Sequence, residues 1–217
     1  MPGRSGDDPN AFPWGSDDVE RRFRGYLPHL EGPNRAYFVT FRLADSLPPE
    51  VQQKIRERRS KILRAQRAGN ATTAEARVRP AQDAGVTVRA IEEALDRGSG
   101  ACYLRRNEVA ATVASALQHF DGQRYRLYAW CVMPNHVHAV LEPLRGWKLA
   151  QILHSWKSFS AHRANAILNR SGELWQREYY DRLLRDGREF LRAVQYVARN
   201  PVKAGLRDWP WVWTCWP

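Results

Sequence analysis

Two β-type runs meet at a two-residue turn beyond the middle of the chain, and no other feature narrows the fold so far. Arg124 to Met133, RYRLYAWCVM, alternates in polarity and is rich in aromatic side chains; after Pro134 and Asn135 the pattern resumes as HVHAVLEP, His136 to Pro143. Such runs on either side of a tight turn predict an antiparallel hairpin of two strands. Successive side chains of a strand point to opposite faces, so His136 and His138 stand side by side while Val137 enters the other face. Two imidazoles so placed are close enough to share a divalent ion, yet an exposed strand face can equally carry two histidines with no ion. A metal site needs a third ligand.

The hairpin needs neighbours. Ala36 to Leu43, AYFVTFRL, reads as the first core strand, and the stretch after it, about 50–100, has helical composition and no strong core pattern. Asn107 is a candidate N-cap for a helix that carries Val109, Val113, Ala116, Leu117 and Phe120 at helical spacing. WKLAQILHSWKSFSAHRANAIL predicts a long helix with Leu149, Leu153 and Trp156 on one stripe and His154, Ser158 and His162 on another. GELWQREYYDRLLRD supplies a short fourth strand, GREFLRAVQYVARNP a last helix closed by Pro201, and the tryptophan-rich C-terminus packing. The order predicts an α+β domain, a ferredoxin-like antiparallel sheet with helices on one face plus a helical insertion. The first 35 residues read as a loosely ordered arm, and 36–217 as a single domain.

Charge sets the partner. Lys and Arg total 34 against 23 Asp and Glu, a formal net charge of +11, so the surface favours a polyanion, nucleic acid first and an anionic membrane second. From Glu50 to Arg106 there are 13 basic and 7 acidic residues, so the insertion either touches nucleic acid or presents a solvated arginine face. No run of about 18 apolar residues occurs, and the N-terminus lacks the apolar centre of a signal peptide. The expectation is a cytoplasmic protein, at the nucleoid when bound to DNA, with no membrane partner. Cys102, Cys131 and Cys215 are too few and too scattered for a disulfide framework or a thiolate zinc site.

On the last helix Arg192, Tyr196 and Asn200 form a row at the margin of the apolar arc, each one turn from the next. By spacing alone Tyr196 is a boundary aromatic and Asn200 a capping residue before proline. For a single strand, Lys157, Ser158 and Arg163 on the long helix and Arg177 in the WQRE segment offer phosphate contacts; Trp156, Phe159 and the C-terminal tryptophans read as packing. Tyr179 and Tyr180 are rival nucleophiles or, on the favoured reading, packing and substrate support, and Asp181 is a metal-proximal carboxylate or, on the favoured reading, an exposed partner of Arg182 or Arg185.

Four segments change the weight of these readings. YAWCVMPNHVHAVLEP, HSWKSFSAHRAN, WQREYYDRLLRD and VQYVARNPVKAGL occur in that order, and together they resemble the REP-associated tyrosine transposases and related one-tyrosine HUH transposases. The likeness runs over about 35–213 outside most of the insertion. It implies a single-stranded DNA endonuclease and strand transferase with a metal-binding histidine pair and one nucleophilic tyrosine. By position, His136 and His138 match the pair of the HUH motif, Tyr196 the nucleophile, and Asn200 the place of a polar third ligand. The residues suit that chemistry: cleavage needs a nucleophile, an ion to polarise a nonbridging oxygen and, for a phenol of ordinary pKa near 10, positive potential that Arg192 can add. Two imidazoles and an oxygen ligand suit Mg²⁺ or Mn²⁺. The implied partner is single-stranded DNA bearing a REP-like hairpin, and the implied state a monomer or a homodimer. A binding module that grips structured DNA or RNA without turnover, and a metal hydrolase using bound water, are the competing readings.

Overall fold

The computed structural model describes residues 20–24, 27–31, 35–67 and 90–215. The middle of the insertion, 68–89, and most of the N-terminal arm lie outside the described residues. Within the arm, β1 (Glu20–Arg24) pairs antiparallel with β2 (Leu27–Glu31).

The main sheet is antiparallel and five-stranded, built from β3 (Tyr37–Arg42), β4 (Tyr125–Val132), β5 (His136–Pro143), β6 (Tyr180–Leu183) and β7 (Val212–Thr214) in the order β6-β3-β5-β4-β7. The first four strands follow the arrangement of a ferredoxin-like unit, with the outer strand β6 beside the first strand. β7 extends the edge beyond β4, in a segment read from its tryptophans as packing alone. The α+β class and the antiparallel sheet are as the sequence indicates.

Two layers of helix cover this sheet. α3 (Asn107–Gln118) and α4 (Leu149–Ile167) bury Val113, Leu117, Ile152 and Trp156 against Val39, Phe41, Val137 and Ala139. α5 (Gly187–Lys203) covers the other face, packing Phe190, Val194 and Val197 on Phe38, Cys131 and Val140. The expectation of helices on one face therefore holds for α3 and α4 and is corrected by α5. β4 contains the local reason: its register shifts between Leu127 and Ala129, so Leu127 and Trp130 share one face and Ala129, Cys131 and Met133 present an apolar surface on the other. α5 does not stop at Pro201. The proline occupies its last turn, where a missing N–H costs one bond and leaves the turn intact.

The insertion begins with α1 (Pro49–Arg67) and returns through a helix at 90–96, here α2. Leu47, Ile55, Ala94 and Leu95 form a small separate core, with Ile91 and Tyr180 packed on it. Its two ends are fastened together: the amide of Ala101 donates to Asp45 Oδ2 at 2.8 Å. Gly100 makes this possible, because at φ +87° a Cβ there would lie 2.6 Å from the Asp45 carbonyl oxygen.

Candidate active site

His136 and His138 lie on the α5 face of the central strand, buried, with their Nε2 atoms 3.0 Å apart. Each ring is held from behind. Asn135 donates through Nδ2 to the carbonyl of Ser99 at 2.9 Å, which directs Oδ1 toward His136. That oxygen can only accept, so His136 Nδ1 donates to it at 2.7 Å and the lone pair of the neutral ring falls on Nε2. His138 Nδ1 meets the hydroxyl of Thr40 at 2.7 Å, and a hydroxyl serves either tautomer. Burial, followed by the positive charge of Lys203, lowers the His136 pKa to about 3; burial, His136 and Lys203 lower that of His138. Both imidazoles are neutral at physiological pH, the form that ligates metal.

Tyr196 arrives from α5 in the same chain. Its ring meets His138 edge-on, with centroids 5.3 Å apart and planes at 77°, and meets Phe38 at 5.5 Å and 84°; Phe38 in turn stacks on His138 at 5.4 Å. The Tyr196 hydroxyl and both polar atoms of the Asn200 amide are buried without a hydrogen-bond partner. Asn200, one turn further along, is near enough to favour ionisation of the phenol, but burial and then the carboxylates of Glu92 and Asp96 dominate and push its pKa well up. The resting phenol keeps its proton.

Those carboxylates belong to the insertion. Glu92 and Asp96 are four apart on α2 and so share a face, beside the apolar side that carries Ile91, Ala94 and Leu95. Asp96 Oδ2 accepts from Lys203 Nζ at 2.7 Å, and that ammonium lies 5.8 Å from the centroid of the Tyr196 ring. The sequence patterns above single out neither Lys203 nor the α2 carboxylates. Lys203 stands inside the NPVKAGL segment, which is the signal that could have found it; the carboxylates reach the site only through the fold of an insertion.

Two imidazole nitrogens 3.0 Å apart subtend about 90° at an ion with bonds of about 2.1 Å. That is the angle between neighbouring positions of an octahedral ion such as Mg²⁺ or Mn²⁺. The unpaired buried amide of Asn200, an arrangement that ordinarily costs roughly 1–3 kcal/mol, is a polar group awaiting a partner, and the donor set fits a hard divalent cation. Among the described residues no group of three or more His, Cys, Asp or Glu is placed to hold a metal.

The remaining candidates separate by face. Arg192 lines a cleft with Tyr196. Lys157, Ser158 and Arg163 sit on α4, across the sheet from Tyr196. Lys157 donates to the carbonyls of Gln176 and Arg177, both at 2.8 Å, tying α4 to the approach to β6; Ser158, Arg163 and Arg177 are exposed. Phe159, expected in the core, is 50% exposed, whereas Trp175 is buried with its indole N–H on Ser160 Oγ at 2.9 Å. Tyr179 packs toward the α3 and α4 core, and Tyr180 lies on the Tyr196 side. Asp181 pairs in register with Val39, which places it on the face away from the histidines, buried and not exposed. Arg182 and Arg185 instead meet Glu189, at 3.2 and 2.7 Å.

Residues 104–200, which contain the histidines, Tyr196 and Asn200, match the family model described as transposase IS200 like. That stretch is similar to the IS200-like transposases. A Haemophilus influenzae protein provisionally named a REP-associated tyrosine transposase is 23% identical over 122 residues, covering 48% of this chain and 66% of that protein. A REP-associated tyrosine transposase of Escherichia coli is 24% identical over 119 residues, covering 49% and 67%. The match thus takes in about two thirds of the length of these relatives, just under that for the first. The resemblance carried by the four sequence segments is borne out. Among solved structures, a REP-associated tyrosine transposase bound to a REP hairpin aligns with a TM-score of 0.47 at 14% identity, over 89% of this chain and 81% of that one. A Deinococcus radiodurans protein provisionally described as a transposase gives 0.37 at 14% identity, over 83% and 98%. At these scores the structural likeness carries no weight for function.

Proposed function

We propose that the protein is a metal-dependent single-stranded DNA endonuclease and strand transferase, acting on hairpin-bearing DNA of the kind for which its REP-associated relatives are named. One observation carries the reading. The phenol-bearing ring of Tyr196 packs against His138, whose Nε2 faces that of His136, within a single chain. His136, His138 and Asn200 would hold Mg²⁺ or Mn²⁺, which when bound supplies positive charge to a nonbridging phosphate oxygen. Asn135 and Thr40 orient the imidazoles. Phe38 and the buried ring surfaces exclude water from the nucleophile, and Lys203 and Arg192 add positive potential beside the incoming backbone.

Tyr196 Oη attacks phosphorus, the bond from phosphorus to the 3′ oxygen breaks, the phenol loses its proton and the departing 3′ oxygen gains one. The products are a 5′-phosphotyrosine and a free 3′-OH. The phosphodiester count is unchanged, so a 3′-OH from another strand can reverse the step and join DNA without ATP.

Incubation with labelled hairpin oligonucleotides and Mn²⁺ or Mg²⁺ is expected to trap a covalent protein–DNA adduct that disappears in Tyr196→Phe. An undiminished adduct in that variant removes Tyr196 from the role. Tight, salt-sensitive binding with no adduct under any divalent ion leaves a binder of structured DNA or RNA, and a cleaved product with no protein link leaves a water-using hydrolase.

A further inference from the structure

A cleft of about 280 Å³ opens beside Tyr196, and the chemistry assigned above leaves its Tyr180, Arg182 and Glu92 without a task. Among its lining residues Phe38 meets the rings of both Tyr196 and Tyr180 edge-on, with centroids 5.5 and 6.3 Å away. Arg182, Arg192 and Glu92 stand among the residues around them. Each wall comes from a different element: Phe38 from β3, the tyrosines from β6 and α5, and the carboxylate from the insertion. A small slot with aromatic walls and a few polar groups at its edge is the chemistry of a site for a flat heteroaromatic ring. Its location fixes the distance to the reaction, because one wall is the proposed nucleophile.

We propose that this cleft receives one unpaired nucleobase of the strand, next to the scissile phosphate. The base stacks among Tyr180, Tyr196 and Phe38, Arg192 meets the adjoining backbone, and the carboxylate of Glu92 reads the edge of the base. The other carboxylate of the cleft, Glu189, is taken by Arg182 and Arg185, which leaves Glu92 as the acceptor. A carboxylate accepts from an amino group, so adenine, cytosine and guanine are favoured over thymine, whose edge flanks its single N–H with two carbonyls. On this reading the insertion brings the group that selects the base. The proposal rests on Tyr196 being the nucleophile, and its test separates the two.

The test uses the full chain carrying Tyr196→Phe, which keeps the ring and removes the hydroxyl, and hairpin oligonucleotides with the fluorescent base 2-aminopurine moved one position at a time along the single-stranded flank. Quenching is expected at one position beside the cleavage point. An abasic site at that position should weaken binding about 5- to 150-fold, the range for losing one base–aromatic stack, and Tyr180→Leu should remove the local quenching. Glu92→Gln should keep the quenching but narrow the preference for amino-bearing bases over thymine. Thermal melting of Tyr180→Leu and Glu92→Gln confirms that they fold, and the Glu92→Gln result stands if Tyr180→Leu does not. Equal signals at all positions, or base preference unmoved by Glu92→Gln, would overturn the pocket even where the wild-type chain forms its adduct. Position-specific quenching in a protein that forms no adduct would keep the pocket and discard the nucleophile.

Discussion

A histidine pair is only as good as what holds it. Asn135 ties His136 to the backbone at Ser99, so Asn135→Ala is expected to weaken Mn²⁺ binding about 10- to 100-fold, the usual cost of losing an orienting partner, while leaving the melting temperature within a few degrees. Calorimetric titration with Mn²⁺ checks this, and an unchanged affinity would mean that the strand alone orients the ring. Glu189 contributes to acid stability. Hydrogen bonds from Arg185, partly opposed by burial, lower its pKa from 4.5 to about 2. The stabilisation is complete above about 4.5 and drains away as pH falls toward 2, because over that window the unfolded chain binds a proton that the folded one refuses. Glu189→Gln should flatten the decline of urea midpoints across that window; the same slope in both proteins would remove Glu189 from the account. At this scale much was legible. The spacing of His136 and His138 and the turn from Tyr196 to Asn200 follow from the periods of strand and helix. Asn135 is visible as a turn residue, but its hold on His136 depends on where Ser99 returns, and no local pattern contains that.

Elements carry a different kind of information. Trp156 is buried, donates its indole N–H to Tyr125 Oη at 2.9 Å, and Tyr125 Oη donates on to the Leu117 carbonyl at 2.7 Å, so one side chain joins α4, β4 and α3. Trp156→Ala should cost about 3–5 kcal/mol, measured by urea denaturation; a loss under 1 kcal/mol would show that Tyr125 holds the three elements without it. The amphipathic stripes of α3 and α4 announced this packing. α5 was equally visible as a helix, yet its side of the sheet was not, because choosing a face depends on the register shift after Leu127 that turns Ala129, Cys131 and Met133 toward it. Alternation read along β4 from one end gives the wrong face for the other. Phe159 shows the same limit: its spacing from Trp156 is nearly one turn, but α4 has rotated it to the surface.

At the scale of the whole molecule, two of the candidate phosphate contacts fall on different surfaces, Arg192 beside Tyr196 and Arg163 on α4 across the sheet. A strand neutralised by both must pass around an edge of the sheet. Binding of a short oligonucleotide that fills only the cleft should therefore lose about 0.7 of its logarithmic salt slope in Arg192→Ala and keep it in Arg163→Ala, whereas a longer hairpin substrate should lose it in both. Fluorescence anisotropy across a salt series reads this, and an equal response of the short strand to both substitutions would place the contacts elsewhere. The net charge points to a polyanion but not to this division, since composition has no geometry. The clasp between Asp45 and Ala101 acts at this scale too. The chain departs from the sheet and rejoins it at one spot, and between those points α2 reaches the site through the pair of Asp96 and Lys203. On the function proposed above, new side chains on α2 would change which bases are favoured while His136, His138 and Tyr196, which belong to β5 and α5, keep their places.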